Sequence, residues 1–467
     1  MVFTSITFLF YFLPFFLAAY FVTPTVRAKN IVTLVFSLIF YAWGEPWFVL
    51  VLLASARFSA AMAIAIDARE GHARRRALTF GIAANLLLLA IFKYSAFIVG
   101  NIDAGLGLLG LHIPVPTLRL PLGISFYTFH CLSYLIDVYR RRFKANRDLV
   151  EVTLYIVLFP QLIAGPIVRY KTVAQQLHDR HSRLSYAAAG ARIFIVGLAQ
   201  KVLVADQIAP LVEAVFDRTH GPGLSEAWLG LLAYSLQIYF DFAGYSNMAV
   251  GLGLILGFTL PRNFRMPYTS LSVTEFWRRW HMSLSAWLRD YLYVPLGGNR
   301  GTAWQTYRNL IVVFLLCGLW HGANWTFVLW GAWHGLFLIV ERAGFDRRLQ
   351  QIWLPLRWLY TLLVASLGWV LFRSHDLASA LDFYAGLTGW HGNPALSFEI
   401  GSVLNVIVAG ALIAGCALSV LPWWTKSPRG PAALQAAADT LWKLCLLVFS
   451  MLSVAAGAYS PFLYFRF

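Results

Sequence analysis

The sequence predicts an all-α polytopic membrane protein with about 11 transmembrane helices, at roughly 20 residues per crossing, plus re-entrant or interfacial helices. Three observations predict it. Hydrophobic residues make up 59% of the 467, and charged residues only 12%, about half the charged share of a soluble domain. The mean hydropathy is +0.65. Apolar stretches recur along nearly the whole chain, separated by short basic loops. A soluble fold would need a polar surface that this composition lacks, and the same arithmetic excludes disorder. The net charge of +16 comes from 37 basic and 21 acidic residues. In a soluble protein it would point to nucleic acid. Here it is spread over loops beside apolar spans, as in inner-membrane proteins, so no nucleic-acid partner is expected. The cysteines Cys131, Cys317, Cys416 and Cys445 are far apart and form no CxxC, which argues against a disulfide scaffold or a thiolate metal site.

The opening run, MVFTSITFLFYFLPFFLAAYF, has no basic region ahead of it and reads as a retained span. Further apolar stretches lie near 31–43, 47–66, 78–99, 121–139, 190–212, 227–258, 309–340, 353–372, 400–421 and 440–460. The 31–43 piece is short for a crossing, and is expected to tilt or to continue past Gly44-Glu45-Pro46. Residues 151–168 carry Pro160, Gly165 and Pro166, which break a helical ladder. Stretches 227–258 and 309–340, at 32 residues each, are too long for one straight crossing and short for two. Broken helices survive in a membrane only where protein or a water-filled cavity surrounds them. The chain is therefore expected to wrap an internal cavity, with kinked ordinary spans as the alternative.

Loop charge sets the orientation. Residues 67–77, 140–148 and 261–308 carry net charges of +2, +4 and +5 and are expected to be cytoplasmic. Residues 213–226 and 373–399 each sum to −2 and suit the outer side, which puts both termini outside. No soluble domain of useful size stands out. Residues 1–467 read as one membrane domain, with 261–308 a basic cytoplasmic or interfacial segment within it.

Three polar positions stand out. His321 follows a nearly continuous apolar run, and an imidazole at membrane depth is expensive unless it faces the bundle interior or water. Its pKa near neutrality suits proton transfer; a structural histidine bonded to another span is the alternative. His281 follows Arg278 and Arg279, with Arg289 nearby, and these arginines could hold an anionic group or mark the headgroup level. Asp241 sits within an apolar stretch and demands a partner. It could orient a histidine, line a substrate path, hold a cation, or form a buried pair sharing a network with Ser246 and Asn247. Lesser candidates are His130, Asp137, Lys201, Asp206, Asn324 and His334, the last expected near the outer face. HExxH, GxSxG and GxxxxGK[ST] are absent, and the glycines at 105, 107 and 110 lack the strand and helix of a nucleotide fold.

Several long motifs occur in order: PLGISFYTFHCLSYLIDVYR (121–140), FPQLIAGPIVRY (159–170), YFDFAGYSNMAVGLGLILGF (239–258), FWRRWHMSLSAWLRDYLYVPLGGNR (276–300), LCGLWHGANWTFVLWGAWHG (316–335) and FLYFRF (462–467). With these, and nearly end to end, the chain resembles the membrane-bound O-acyltransferase family, and more closely its bacterial branch that serves alginate O-acetylation. The resemblance implies helices around a central funnel or tunnel, with His321 as the family's near-invariant histidine and His281 in a supporting or substrate-binding role. Trp320, Asn324, Tyr239, Trp280 and Asp241 become candidates for lining the substrate path, and Arg278, Arg279 and Arg289 for meeting donor phosphates.

The resemblance further implies acetyl-CoA or another cytoplasmic thioester as donor, with no metal needed because a thioester is already activated. It implies an extracytoplasmic polysaccharide acceptor and a periplasmic acetyltransferase partner in the bacterial inner membrane, among its lipids. Alginate is expected first, with cellulose, other exopolysaccharides or peptidoglycan as alternatives. A transporter, or a scaffold for a soluble acetyltransferase, is the competing reading of the same polar positions.

Overall fold

The computed structural model describes residues 1–180, 183–218, 220–393, 396–421 and 432–457, with side chains from 437 onward in the last stretch. The FLYFRF motif and the C-terminus lie outside the described residues. Every regular element among the described residues is helical. They divide into two compact units, one of residues 1–191 and 249–261, the other of 192–248 and 262–467.

The first unit begins with a π-helical turn, Thr7–Phe12, that runs into α1 (Leu13–Val22). There follow α2 (Val26–Ala42), α3 (Phe48–Asp67), α4 (Gly71–Gly107), α5 (Ile124–Tyr139), α6 (Leu149–Val157), α7 (Phe159–Leu162) and α8 (Tyr170–His178). Helix α2 does not continue past Gly44. It gains length at its other end, where the Thr25 hydroxyl accepts from the Ala28 N–H at 3.2 Å. The 151–168 stretch is broken, as its prolines require: α6 stops at Val157 and α7 is a single turn. Every residue from Glu151 to Val168 is buried, which is what irregular backbone needs in a membrane. At the break, Phe159 is gripped by the rings of Phe12, Phe16 and Phe40, with centroids 5.5, 5.2 and 5.4 Å away. Along α4 the apolar side chains Phe80, Leu87, Ile91 and Ile98 face outward, an exposure that lipid rather than water accommodates.

In the second unit, α9 (Leu184–Ala199, shared with the first unit) passes through a π-helical stretch, Gln200–Ala205, into α10 (Asp206–Phe216). Next come α11 (Leu224–Ile255, whose end lies in the first unit), α12 (Val273–Arg279), α13 (Met282–Leu288), α14 (Ala303–His321), α15 (Trp325–Val340), α16 (Asp346–Leu349), α17 (Leu354–Arg373), α18 (Leu377–Leu387), α19 (Phe398–Val403), α20 (Val406–Val420) and α21 (Ala432–Ala455). The two stretches of ambiguous length resolve differently. Residues 227–258 form most of one helix, α11, whereas 309–340 split into α14 and α15 at Gly322-Ala323-Asn324. The second stretch carries a capping residue at its break and the first has no proline to stop it.

Helix α11 meets α9 backbone to backbone. A Cβ on Gly197 would lie 2.6 Å from the Gly244 carbonyl oxygen, and one on Gly244 would lie 2.6 Å from that of Gly197. Small residues at such a crossing are the usual means of close helix packing in lipid.

Among the described residues, five helical stretches are long and apolar enough to cross a membrane: Phe48–Asp67, Gly71–Gly107, Leu184–Phe216, Leu354–Arg373 and Ala437–Ala455. Shorter apolar helices cover Thr7–Val22, Leu377–Leu387 and Val406–Val420. The protein is an all-α polytopic membrane protein. Gly244→Leu should force α9 and α11 apart. Size-exclusion chromatography of the detergent-extracted variant should show mostly aggregate, where the parent gives a monodisperse peak.

Candidate active site

His321 is the last residue of α14, and its position follows from how α14 meets α15. A Cβ on Gly318 would lie 2.1 Å from the Phe327 carbonyl oxygen, and one on Gly331 would lie 2.2 Å from that of Phe314. Only glycine lets the two backbones approach so closely. The chain turns through an extended Gly322, at φ −156°. Asn324 then starts α15, its Oδ1 accepting from the Thr326 N–H at 3.1 Å. The His321 imidazole is left in an aromatic box, with ring centroids of Trp320 at 4.9 Å, Trp330 at 5.1 Å and Phe372 at 5.1 Å. It is buried, keeping 6% of its surface.

His281 arrives from the basic segment. Helix α12 opens on a double cap. Ser272 Oγ accepts from the Glu275 N–H at 3.1 Å, while the Glu341 carboxylate accepts from the Val273 and Thr274 N–H groups at 2.6 and 2.9 Å. A carboxylate is favoured there by the helix dipole. Phe276, Trp277 and Trp280 are buried, Arg278 is exposed and Arg279 half-buried, so α12 presents an aromatic face inward. After Trp280 the chain turns sharply. His281 adopts a left-handed conformation, φ 39° and ψ 55°, which costs a non-glycine residue about 1–2 kcal/mol. Its ring packs edge-on to Phe242 at 4.7 Å and lies 6.3 Å from Trp320. The two histidines, forty residues apart, thus share Trp320 as a neighbour. Neither imidazole nitrogen of His281 has a hydrogen-bond partner among the described residues.

The other candidates fall into distinct places. Trp280 and Tyr239 belong to an aromatic layer beside His281. Trp280 packs tilted against Trp369 at 4.8 Å and edge-on to Phe264 at 5.0 Å, with Tyr239 at 6.2 Å. Asn324 is a helix cap whose amide also donates to the His375 carbonyl at 2.8 Å. The three arginines do not converge. Arg279 is held by Glu275 and by Thr269 Oγ1 at 2.7 Å, Arg289 pairs with Asp290 at 2.7 Å, and Arg278 projects outward.

Asp241 pairs with Lys201, with Nζ 2.7 Å from Oδ1, and Lys201 also pairs closely with Asp206. The π-helical turn explains this grouping, since its i→i+5 spacing stacks Lys201 directly over Asp206. The geometry therefore fits the buried-pair reading of Asp241. Asn247, grouped with Asp241 from the sequence, bonds to Gln200 Oε1 instead, at 2.8 Å. His334 is wholly buried. Its Nδ1 accepts from the Trp277 indole N–H at 3.4 Å and its ring contacts Trp330 at 5.0 Å, because aromatic residues of the basic segment pack against α15. His130 and Asp137 lie in the first unit, buried in α5.

The end of α17 completes the box through Phe372. Arg373 donates to both Asp217 carboxylate oxygens at 2.7 Å, and His375 lies 3.1 Å from one of them. Partial burial would raise the Asp217 carboxyl, but Arg373, and then His375, more than offset this and hold it below the ordinary carboxylate range. The sequence alone did not single out Phe372, Glu341 or Phe242. Glu341 was detectable by the argument that flagged Asp241, being a lone carboxylate at the end of an apolar stretch.

An all-α membrane fold holding two histidines of separate elements in ring contact with one tryptophan suits proton transfer away from bulk water. The chain belongs to the membrane-bound O-acyltransferase family, which matches residues 138–372 and so both histidines. It is 40% identical to the probable alginate O-acetylase AlgI of Azotobacter vinelandii and 38% identical to that of Pseudomonas aeruginosa, in each case over the whole of both chains. It is 35% identical to a peptidoglycan O-acetyltransferase of Helicobacter pylori, over all of this chain and 98% of that one.

Two stability effects follow from these contacts. Lys201→Ala leaves two buried carboxyls without their cation, and should cost about 3–5 kcal/mol, read as a large drop in the detergent melting temperature. Asn324→Ala removes one cap and should cost about 1 kcal/mol in the same melt.

Proposed function

We propose that this protein moves an acetyl group from a cytoplasmic thioester, acetyl-CoA, for O-acetylation of an extracellular polysaccharide, with alginate as the polymer. The observation that carries this reading is the shared Trp320 contact of His281 and His321, within a chain whose full length matches proteins named as alginate O-acetylases. In the chemistry, the acceptor hydroxyl oxygen attacks the thioester carbonyl carbon while His321 takes its proton. The tetrahedral intermediate collapses with cleavage of the C–S bond, and the leaving thiolate regains a proton as free CoA. His281 assists at the same centre, and Trp320, Trp280 and Tyr239 line the approach. Burial among rings keeps out the water that would hydrolyse the thioester.

The whole chain works as one acyltransferase domain, of about 11 spans at roughly 20 residues each, around a funnel in the bacterial inner membrane. Both termini are periplasmic. A periplasmic acetyltransferase receives the acetyl group or completes its transfer to the polymer. The exposed Arg278 and the basic loop around it attract the donor's phosphates from the cytoplasm.

Purified full-length protein, incubated with radiolabelled acetyl-CoA and alginate together with the partner acetyltransferase, should label the polymer. His321→Ala should lower labelling by at least ~10²-fold at unchanged abundance and melting temperature. Labelling at the parent rate would refute the role of His321, and label on peptidoglycan but not alginate would refute the acceptor.

A further inference from the structure

The turn that carries His281 is held by a residue eighteen positions earlier. Helix α13 has seven residues, too few to persist alone, and its first N–H groups need acceptors. The residue at the N-cap position usually supplies one from its own side chain. Here that residue is His281, and its side chain makes no capping bond. Asn263 does the work from a distance. Its backbone carbonyl accepts from the Met282 N–H at 2.9 Å. Its Oδ1 accepts from the Ser283 N–H at 3.3 Å and from the Ser283 hydroxyl at 2.6 Å. A second backbone bond, from the Arg265 N–H to the Arg279 carbonyl at 3.0 Å, ties the same two strands of chain together. Asn263 is itself buried, at 2% exposure.

We infer that Asn263 is a positioning residue for the reaction: by capping α13 in place of His281, it holds the left-handed turn and leaves the His281 imidazole uncommitted. This rests on the reading of His281 as a working histidine. The left-handed backbone at His281 is disfavoured for any residue with a Cβ, so it persists only while its surroundings hold it. The capping bonds of Asn263 fall on the two residues immediately after it. An N-cap serine or asparagine at 281 would satisfy the helix locally but could not present an imidazole. A remote cap separates the two tasks.

The test compares Asn263→Ala, Asn263→Asp, Ser283→Ala and His281→Ala in full-length purified protein, supplied with alginate and the partner acetyltransferase and reading CoA release from acetyl-CoA. Asn263→Ala should lower kcat by ten-fold or more, with KM for acetyl-CoA within two-fold of the parent. Asn263→Asp, which keeps the acceptor oxygen, should recover most of the rate. Ser283→Ala, which loses only the hydroxyl bond, should fall between the parent and Asn263→Ala. Adding Asn263→Ala to His281→Ala should slow residual turnover no further, because one residue acts through the other.

The inference is overturned if Asn263→Ala turns over at the parent rate, if the Asp variant is as slow as the Ala variant while both melt like the parent, or if the double variant loses the product of the two single effects. Should Asn263→Ala fail to fold, parent-like turnover by Ser283→Ala overturns it as well. Parent-like turnover by His281→Ala would instead remove the role of His281 itself. Loss in His281→Ala with none in Asn263→Ala or Ser283→Ala would spare that role and reject the positioning.

Discussion

Contact between the backbones of α14 and α15 is the constraint on which the histidine site depends. Without side chains at Gly318 and Gly331 the two helices close on one another. That closure brings Trp330 of α15 against His321 at the end of α14. Phe372, on a third helix, closes another side of the box. The geometry of the imidazole is thus set by absent side chains as much as by present ones. A single methyl at either glycine would meet a carbonyl oxygen of the facing helix, an atom that cannot move without unravelling its own turn.

A second constraint is the satisfaction of polar groups away from water. Lipid offers no hydrogen bonds, so each buried charge must find its counterpart within the protein. Lys201 answers Asp206 and Asp241 together, by way of a π-helical register that an ordinary α-helix would not provide. Glu341 answers the open end of α12. Asn263 answers that of α13. The cap that Asn263 supplies leaves both imidazole nitrogens of His281 without a hydrogen-bond partner among the described residues. His334 contrasts with His281: its imidazole spends a nitrogen on the Trp277 indole.

Much of this was legible from residue order. Composition implied the helical membrane class, the prolines at 160 and 166 implied the broken segment, His321 stood out against an apolar run, and His281 stood out beside the arginines of the basic segment. The long ordered motifs reached the family that the comparisons bear out. Other features could not be read along the chain. Asp241 was visible as a lone carboxylate, but its partner lies forty residues away on another helix. Two stretches of equal length gave one helix and two helices: Asn324 caps a new helix through its Oδ1, and its amide also meets the His375 carbonyl, fifty-one residues on. That Trp277 packs upon His334 could not be read from the immediate neighbours of either residue.

By itself the sequence determined the class of fold, the polar groups that a membrane interior would not tolerate idle, and the family, because hydropathy, breakers and contiguous motifs are local properties of a chain. Only the tertiary structure decided which of those polar groups answer one another, that Trp320 is common to two histidines forty residues apart, and that Asn263 caps a helix it does not belong to. Such pairings depend on distances between segments remote along the backbone, and those distances exist only once the helices have packed.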